Sequence, residues 1–253
     1  MTDNKFNDFV EIVKRLRKEC PWDREQTNDS IKAATIEEAY EVVEAIEKKN
    51  YDDLEKELGD LLLHVVFHTI IASETNGFTI DDVIDSIREK LIRRHPHVFG
   101  EVKVSGSEEV KKNWEEIKLS EGRESVLDGV PEMLPALQRA HRLQEKAAKV
   151  GFDWEKKEDV WKKVIEEVEE MHESEGEGNY DKLEDEIGDV FFAMVNYARF
   201  LSVNPENALR RTNSKFIRRF GYVESKIKES GKKITDSNLK EMDSYWEESK
   251  KLV

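Results

Sequence analysis

The sequence predicts an all-α protein, a tandem repeat of two helical-bundle domains, and three observations carry that prediction. Apolar and charged residues each make up 38% of the 253-residue chain, with only 12 Gly and 5 Pro, a balance that suits amphipathic helices and not a turn-rich β-protein. Apolar side chains recur at spacings of three and four. The chain also matches itself when shifted by 129 positions.

That shift lays Ile36-Glu37-Glu38 on Ile165-Glu166-Glu167, Glu41 on Glu170, and Asn50-Tyr51-Asp52 on Asn179-Tyr180-Asp181. Leu54, Glu55, Glu57, Gly59 and Asp60 fall on Leu183, Glu184, Glu186, Gly188 and Asp189, giving 13 identities in 25 positions over 36–60. Charge bias alone does not reproduce the Asn-Tyr-Asp and Gly-Asp punctuation. Farther on, the shift falls to 125, where Lys90 and Ile92-Arg93-Arg94 meet Lys215 and Ile217-Arg218-Arg219. The polar, Gly-containing stretch 120–131 is the natural junction, so the expected domains are 1–122 and 123–253.

In the first repeat, Ile36, Ala39, Val43 and Ile46 share one helix face, and Asn50-Tyr51-Asp52 marks a tight connection. The apolar run 61–71 belongs to the next helix. A third begins near Thr79, a capping residue followed by Asp81 and Asp82, and runs to about Arg94 before His95-Pro96. The second repeat predicts helices over 161–172, 180–201 and 205–228, with Pro205 tolerated in a first turn.

Charge and cysteine usage restrict the function. A net charge of −15 disfavours nucleic acid, whose phosphates need Lys and Arg to displace counterions. Cys20 is the single cysteine, which excludes an intrachain disulfide and a multi-cysteine zinc site, and a reducing cytoplasm is the expected compartment. The first residues show no export signal, and no run is long and apolar enough for a membrane span, so no membrane partner is expected.

The short connection makes the two helices of each repeat antiparallel, which brings Glu41 level with Asp60. Glu57 and Glu38 lie a turn to either side, on related faces. Glu167, Glu170, Glu186 and Asp189 repeat the pattern. Four acids beside a bundle core repel one another unless a cation sits among them, and oxygen ligands select Mg2+ or Mn2+. Magnesium joins carboxylates to substrate phosphates, which points to phosphate-ester or anhydride chemistry. A single Glu-x-x-Glu is usually a solvated helix face. The same pattern paired across a turn with Glu-x-x-Asp, twice, is far more specific.

At these residues the chain resembles the MazG family of nucleoside triphosphate pyrophosphohydrolases, along nearly its whole length. Residues 20–27 (Cys-Pro-Trp-Asp-Arg-Glu-Gln-Thr), 93–99 (Arg-Arg-His-Pro-His-Val-Phe) and 212–220 (Thr-Asn-Ser-Lys-Phe-Ile-Arg-Arg-Phe) are similar to its landmarks. The resemblance implies tandem MazG-like helical domains, usually dimeric, that use Mg2+ to split nucleoside triphosphates between the α- and β-phosphates into monophosphate and pyrophosphate. By it, Glu38, Glu41, Glu57 and Asp60 are metal ligands, with Glu37 another ligand or a water orienter. Glu166, Glu167, Glu170, Glu186 and Asp189 take those parts in the second unit. Lys90, Arg93 and Arg94, and Asn213, Lys215, Arg218 and Arg219, would hold the triphosphate. Lys182 matches a lysine of the family's second domain, whereas its repeat partner is Asp53, which sets the two sites apart. Trp246, and Trp114 with Lys118, would supply a base-stacking wall and a phosphate contact, or else apolar anchors.

His64 and His68 share a helix face at the spacing of a zinc pair, but the second repeat has Ala193 and Tyr197 there. They are read as packing residues. His95 and His97 leave structural and substrate roles equally open. The alternatives to a general triphosphate hydrolase are a dUTP or dCTP pyrophosphatase restricted to one base, a helical binding or regulatory protein with a decayed site, and an acidic scaffold that binds no metal.

Overall fold

The computed structural model describes residues 2–75, 77–121 and 124–252, with side chains for all of these except 2–4, 108, 111, 112, 115, 119 and 177. Every regular element among the described residues is helical. None of the described helices is long and apolar enough to cross a membrane. Internal contacts divide the chain into Met1–Ser105 and Gly106–Val253. The junction expected between 122 and 123 lies outside the described residues.

Unit 1 holds α1 (Thr2–Glu19), α2 (Pro21–Glu25), α3 (Lys32–Lys48), α4 (Tyr51–Ser73), α5 (Ile80–Arg94) and α6 (Pro96–Phe99). Helices α1 and α3 both pack on α4. The apolar face of α1, absent from the repeat comparison, supplies Val10 and Val13 to a core with Ile31, Val66, Phe67, Ile70 and Ile71. Thr79 and Asp82 form a reciprocal capping box at the start of α5, as the sequence signals.

Arg17 fastens this unit. Its guanidinium grips Glu74 at the end of α4 through Nε (2.7 Å) and Nη2 (2.8 Å). Its Nη1 donates to the carbonyls of Asp23 and Gln26, the latter at 2.9 Å. The Arg17 side chain is 12% exposed and that of Glu74 45%. Hydrogen bonds from Arg17 hold the Glu74 carboxyl below its ordinary 4.5. A depressed acid stabilises the fold above its unfolded pKa, and that contribution disappears as pH falls through the folded value. Arg17→Ala is therefore expected to cost about 1–3 kcal/mol at neutral pH, and less in acid. Urea denaturation at pH 7 and at pH 3.5 checks both; an equal cost at the two pH values would contradict the linkage.

Unit 2 holds α7 (Ser107–Ser120), α8 (Ala136–Lys149), α9 (Lys157–Glu177), α10 (Tyr180–Phe200), α11 (Pro205–Glu229), a 3-10 turn (Ile234–Asp236) and α12 (Leu239–Ser249). Helices α9 and α10 form the hairpin matching α3 and α4, and α8 packs on α10 and α11. The repeat extends into the interior. Ile31 and Val160, Ala45 and Ser174, and Val66 and Val195 are buried in both units, each pair 129 positions apart.

The hairpin turns agree at the backbone. Lys49 (φ 54°) and Gly178 (φ 69°) occupy the left-handed region that ends a helix, and each is followed by an asparagine cap. Asn50 (φ −96°, ψ 98°) accepts from the Asp53 amide, and Asn179 (φ −98°, ψ 99°) from the Lys182 amide.

Candidate active site

Each hairpin brings acids from two helices together. In unit 1, one carboxylate oxygen each from Glu38 and Glu41 of α3 and Glu57 of α4 lie within 4.8 Å of one another. In unit 2 the trio is Glu167 of α9 with Glu186 and Asp189 of α10. Glu38 and Glu57 are half-buried, Glu167 is 7% exposed, and Glu41 is exposed. Asp60 and Glu170 stand outside these trios yet remain in their electrostatic field. Asp60 repels Glu38 and Glu57, and Glu170 interacts with Glu167 and Glu186.

The electrostatics are dominated by acids crowded together. Desolvation, then the charges of Glu41 and Asp60, raise the Glu38 carboxyl above its ordinary range. Glu57 is raised by desolvation and by a hydrogen bond shared with Glu41, and Glu170 by desolvation and by Glu167. Glu37 adds to the repulsion at Glu38. An oxygen-only set of clustered carboxylates, with Glu38, Glu57 and Glu170 pushed toward holding a proton, fits a hard divalent cation.

The two units supply different neighbours. In unit 2, Lys163 reaches the acids, at 2.6 Å from Glu166 and 2.8 Å from Glu167. Bonds to Glu166 and then Glu167 hold its ammonium far above its ordinary range. Its repeat partner is Ala34, so unit 1 has no lysine at this position.

In unit 1, a chain of polar contacts runs instead toward Glu38. Asn28 Oδ1 lies 2.8 Å from His68 Nδ1, and Thr35 Oγ1 lies 2.8 Å from His68 Nε2 and 2.9 Å from His64 Nδ1. His64 Nε2 then approaches Glu38 at 3.9 Å. The two histidines are therefore more than packing residues, because both rings are engaged by Thr35. Helical spacing showed the pair but not the threonine between them. At the matching positions unit 2 has Lys157, Val164, Ala193 and Tyr197, which cannot form this chain.

Helix α5, bearing Lys90, Arg93 and Arg94, packs on α4, and α11, bearing Asn213, Lys215, Arg218 and Arg219, packs on α10. Each basic helix thus adjoins a helix that supplies acids. Lys90, Asn213, Lys215 and Arg218 are exposed. Trp246 packs against Phe216 at 5.3 Å and beneath the Arg219 guanidinium at 6.0 Å, and Lys118 lies 4.8 Å over the Trp114 ring. Both tryptophans are half-buried. Lys182 is half-buried in the first turn of α10. Gly59 and Gly188 face open space where a Cβ would stand, so nothing within the chain requires glycine there.

A duplicated helical hairpin with two clusters of carboxylates that could hold a metal ion defines a tandem all-α protein. The family of the MazG nucleotide pyrophosphohydrolase domain matches residues 26–99 and 155–223, one stretch in each unit. The chain belongs to the MazG family. It is 44% identical over 250 residues to the nucleoside triphosphate pyrophosphohydrolase/pyrophosphatase MazG of Thermotoga maritima, covering 97% of this chain and 95% of that one. It is 42% identical over 257 residues to the nucleoside triphosphate pyrophosphohydrolase of Escherichia coli K12, covering 98% of each. A solved MazG-related protein from Thermotoga maritima aligns with 45% of this chain and 98% of its own, at 31% identity and a TM-score of 0.41.

Proposed function

We propose that the chain is a Mg2+-dependent hydrolase of nucleoside triphosphates that cleaves the α–β phosphoanhydride, releasing nucleoside monophosphate and pyrophosphate. The observation that carries this reading is the convergence of acids in both hairpins, in a chain matched end to end by proteins named for that activity. The fold and the relatives support a nucleoside triphosphate pyrophosphohydrolase, a hydrolase acting on phosphoanhydrides.

Glu38, Glu41, Glu57 and Asp60 would hold the cation in unit 1, and Glu167, Glu170, Glu186 and Asp189 in unit 2. Mg2+, or Mn2+ in its place, would supply Lewis acidity between these carboxylates and the substrate phosphates. The remaining work falls to side chains. A carboxylate of the cluster, with Glu37 or Glu166 beside it, takes the proton of the attacking water. The water oxygen bonds to phosphorus in line as the anhydride P–O bond breaks, and the pyrophosphate oxygen leaves with the electron pair. Lys90, Arg93 and Arg94, and Lys182, Asn213, Lys215, Arg218 and Arg219, would bind the phosphates and offset the charge that develops. Lys118 and Trp246 are further substrate contacts in this reading.

Product analysis with a panel of triphosphates and Mg2+ tests the proposal. Monophosphate and pyrophosphate in equal amounts, abolished by EDTA, are expected; orthophosphate as the first product would exclude the bond assignment.

A homodimer belongs to the same proposal. Leu58, Leu62 and Val65 on α4 and Ile187, Phe191 and Met194 on α10 form matching exposed apolar stripes, each 37% exposed or more. Stripes of this kind are normally covered in an assembly. Sedimentation at twice the mass of the 29.6 kDa chain is expected, and a compact monomer at micromolar concentration would remove the dimer.

A further inference from the structure

The polar chain beside the unit 1 acids has a direction, set by which of its atoms can donate. Burial holds the His68 imidazole below its ordinary 6.5, so the ring is neutral at pH 7 and carries a single N–H. Asn28 Oδ1, 2.8 Å from His68 Nδ1, can only accept, so the proton sits on Nδ1 and Nε2 keeps a lone pair. Thr35 has one hydroxyl proton to give. It goes to His68 Nε2 at 2.8 Å, because two lone pairs would otherwise oppose each other there, and the Ile31 carbonyl at 3.2 Å is the more distant acceptor. Thr35 Oγ1 is then left to accept from His64 Nδ1 at 2.9 Å, which places the His64 proton on Nδ1.

The lone pair of His64 therefore lies on Nε2, the nitrogen that approaches Glu38 Oε1 at 3.9 Å, too far for a direct hydrogen bond. The two side chains are only 13% and 21% exposed. Two electron-pair donors at that separation suit a metal ion bound at about 2.0–2.2 Å from each. A histidine that ligates a metal donates its other ring N–H to an acceptor that fixes the tautomer and the ring, and Thr35 is placed to be that acceptor. Unit 2 has Val164 and Ala193 where unit 1 has Thr35 and His64, so no imidazole stands at this place there.

We propose that His64 Nε2 is a nitrogen ligand to a cation shared with Glu38, making unit 1 a mixed nitrogen–oxygen site that favours a transition-metal ion such as Zn2+ or Ni2+, while unit 2 keeps the oxygen ligands that suit Mg2+. Thr35 is the positioning residue for His64. The assignment rests on reading the unit 1 acids as a cation site, and it is tested without measuring hydrolysis.

The full chain, isotopically labelled at its histidines and freed of metal with EDTA, gives the first readout. Two-bond proton–nitrogen correlation spectra report the tautomer, with the His64 signals identified by their loss in His64→Gln. The Nδ1–H form is expected, and Zn2+ should shift the Nε2 resonance. Calorimetric titration gives the second readout, in a Glu170→Gln background that leaves the unit 1 acids unaltered. Zn2+ affinity is expected to fall about tenfold or more with His64→Gln, and likewise with Thr35→Val, which keeps the shape of threonine and removes the acceptor. Mg2+ affinity should change by less than about threefold, since Mg2+ takes oxygen ligands. His64 in the Nε2–H form, an Nε2 resonance indifferent to Zn2+, or a Zn2+ affinity that is unchanged in His64→Gln or falls in step with that for Mg2+ would each overturn the proposal. Should His64→Gln not fold, Thr35→Val and the response of the wild-type resonances to Zn2+ still decide. Mg2+ binding that Glu41→Gln removes, with no response of His64 to Zn2+, would remove the nitrogen ligand alone; binding of neither ion would remove the cation reading as well.

Discussion

Replacing Glu41 and Glu170 together with glutamine is expected to reduce pyrophosphate release by on the order of a hundredfold or more, because each change removes a charged oxygen from a proposed cation site. Glutamine keeps the shape of glutamate, so the fold should persist. The metal-free protein should be no less stable than the wild type, since Glu41 raises the carboxyls of Glu38 and Glu57 by repulsion. What should disappear is the saturable rise in melting temperature on adding Mg2+ or Mn2+. The single variants apportion the activity, and the unit whose variant is silent alone is the working one. Full activity in the double variant would show that these carboxylates hold neither cation nor reacting water.

The second large effect concerns the interior. Val66 is 0% exposed and Val195 is 2% exposed, at equivalent positions of the two units. A carboxylate at either place has no partner, and its burial is expected to cost about 4 kcal/mol or more. A domain holds only about 5–15 kcal/mol in total, so each change should unfold its own unit. Val66→Asp should remove the share of activity that Glu41→Gln removes, and Val195→Asp the share that Glu170→Gln removes. Circular dichroism gives an independent reading, because each variant should lose a large part of its helical signal. Melting at the wild-type temperature by either variant would refute the core described here.

Much of this was legible in the sequence, for definite reasons. Helices α3, α4, α5, α9, α10 and α11 were predicted because each alternates apolar and polar faces and has a turn or capping signal nearby. Helices α1 and α8 were not, because they fall outside the repeated segment that guided the comparison. The carboxylates were found by pairing two three-residue spacings across a turn of known length. That reasoning gives the helix faces but not which acids approach most closely. Lys163 alters the balance in unit 2, and a lysine three residues before a Glu-Glu pair is unremarkable in a chain this charged.

One further feature could not be read from spacing. The Thr35 bridge between His64 and His68 joins helices separated by a turn. A periodicity argument evaluates one helix at a time and passes over such a bridge.

The duplicated turn also bears on how the chain tolerates change. Between the acids and the basic helices, unit 2 is shorter, with 21 residues in α10 against 23 in α4 and an earlier start of the following helix. The pairing of acids does not depend on that stretch, because a left-handed residue and an asparagine cap between Glu41 and Glu57 set the offset between the two helices. Insertions and deletions beyond Asp60 or Asp189 are therefore insulated from the pairing of the acids, and the segment leading to the basic helices can lengthen or shorten while the acidic cluster keeps its register.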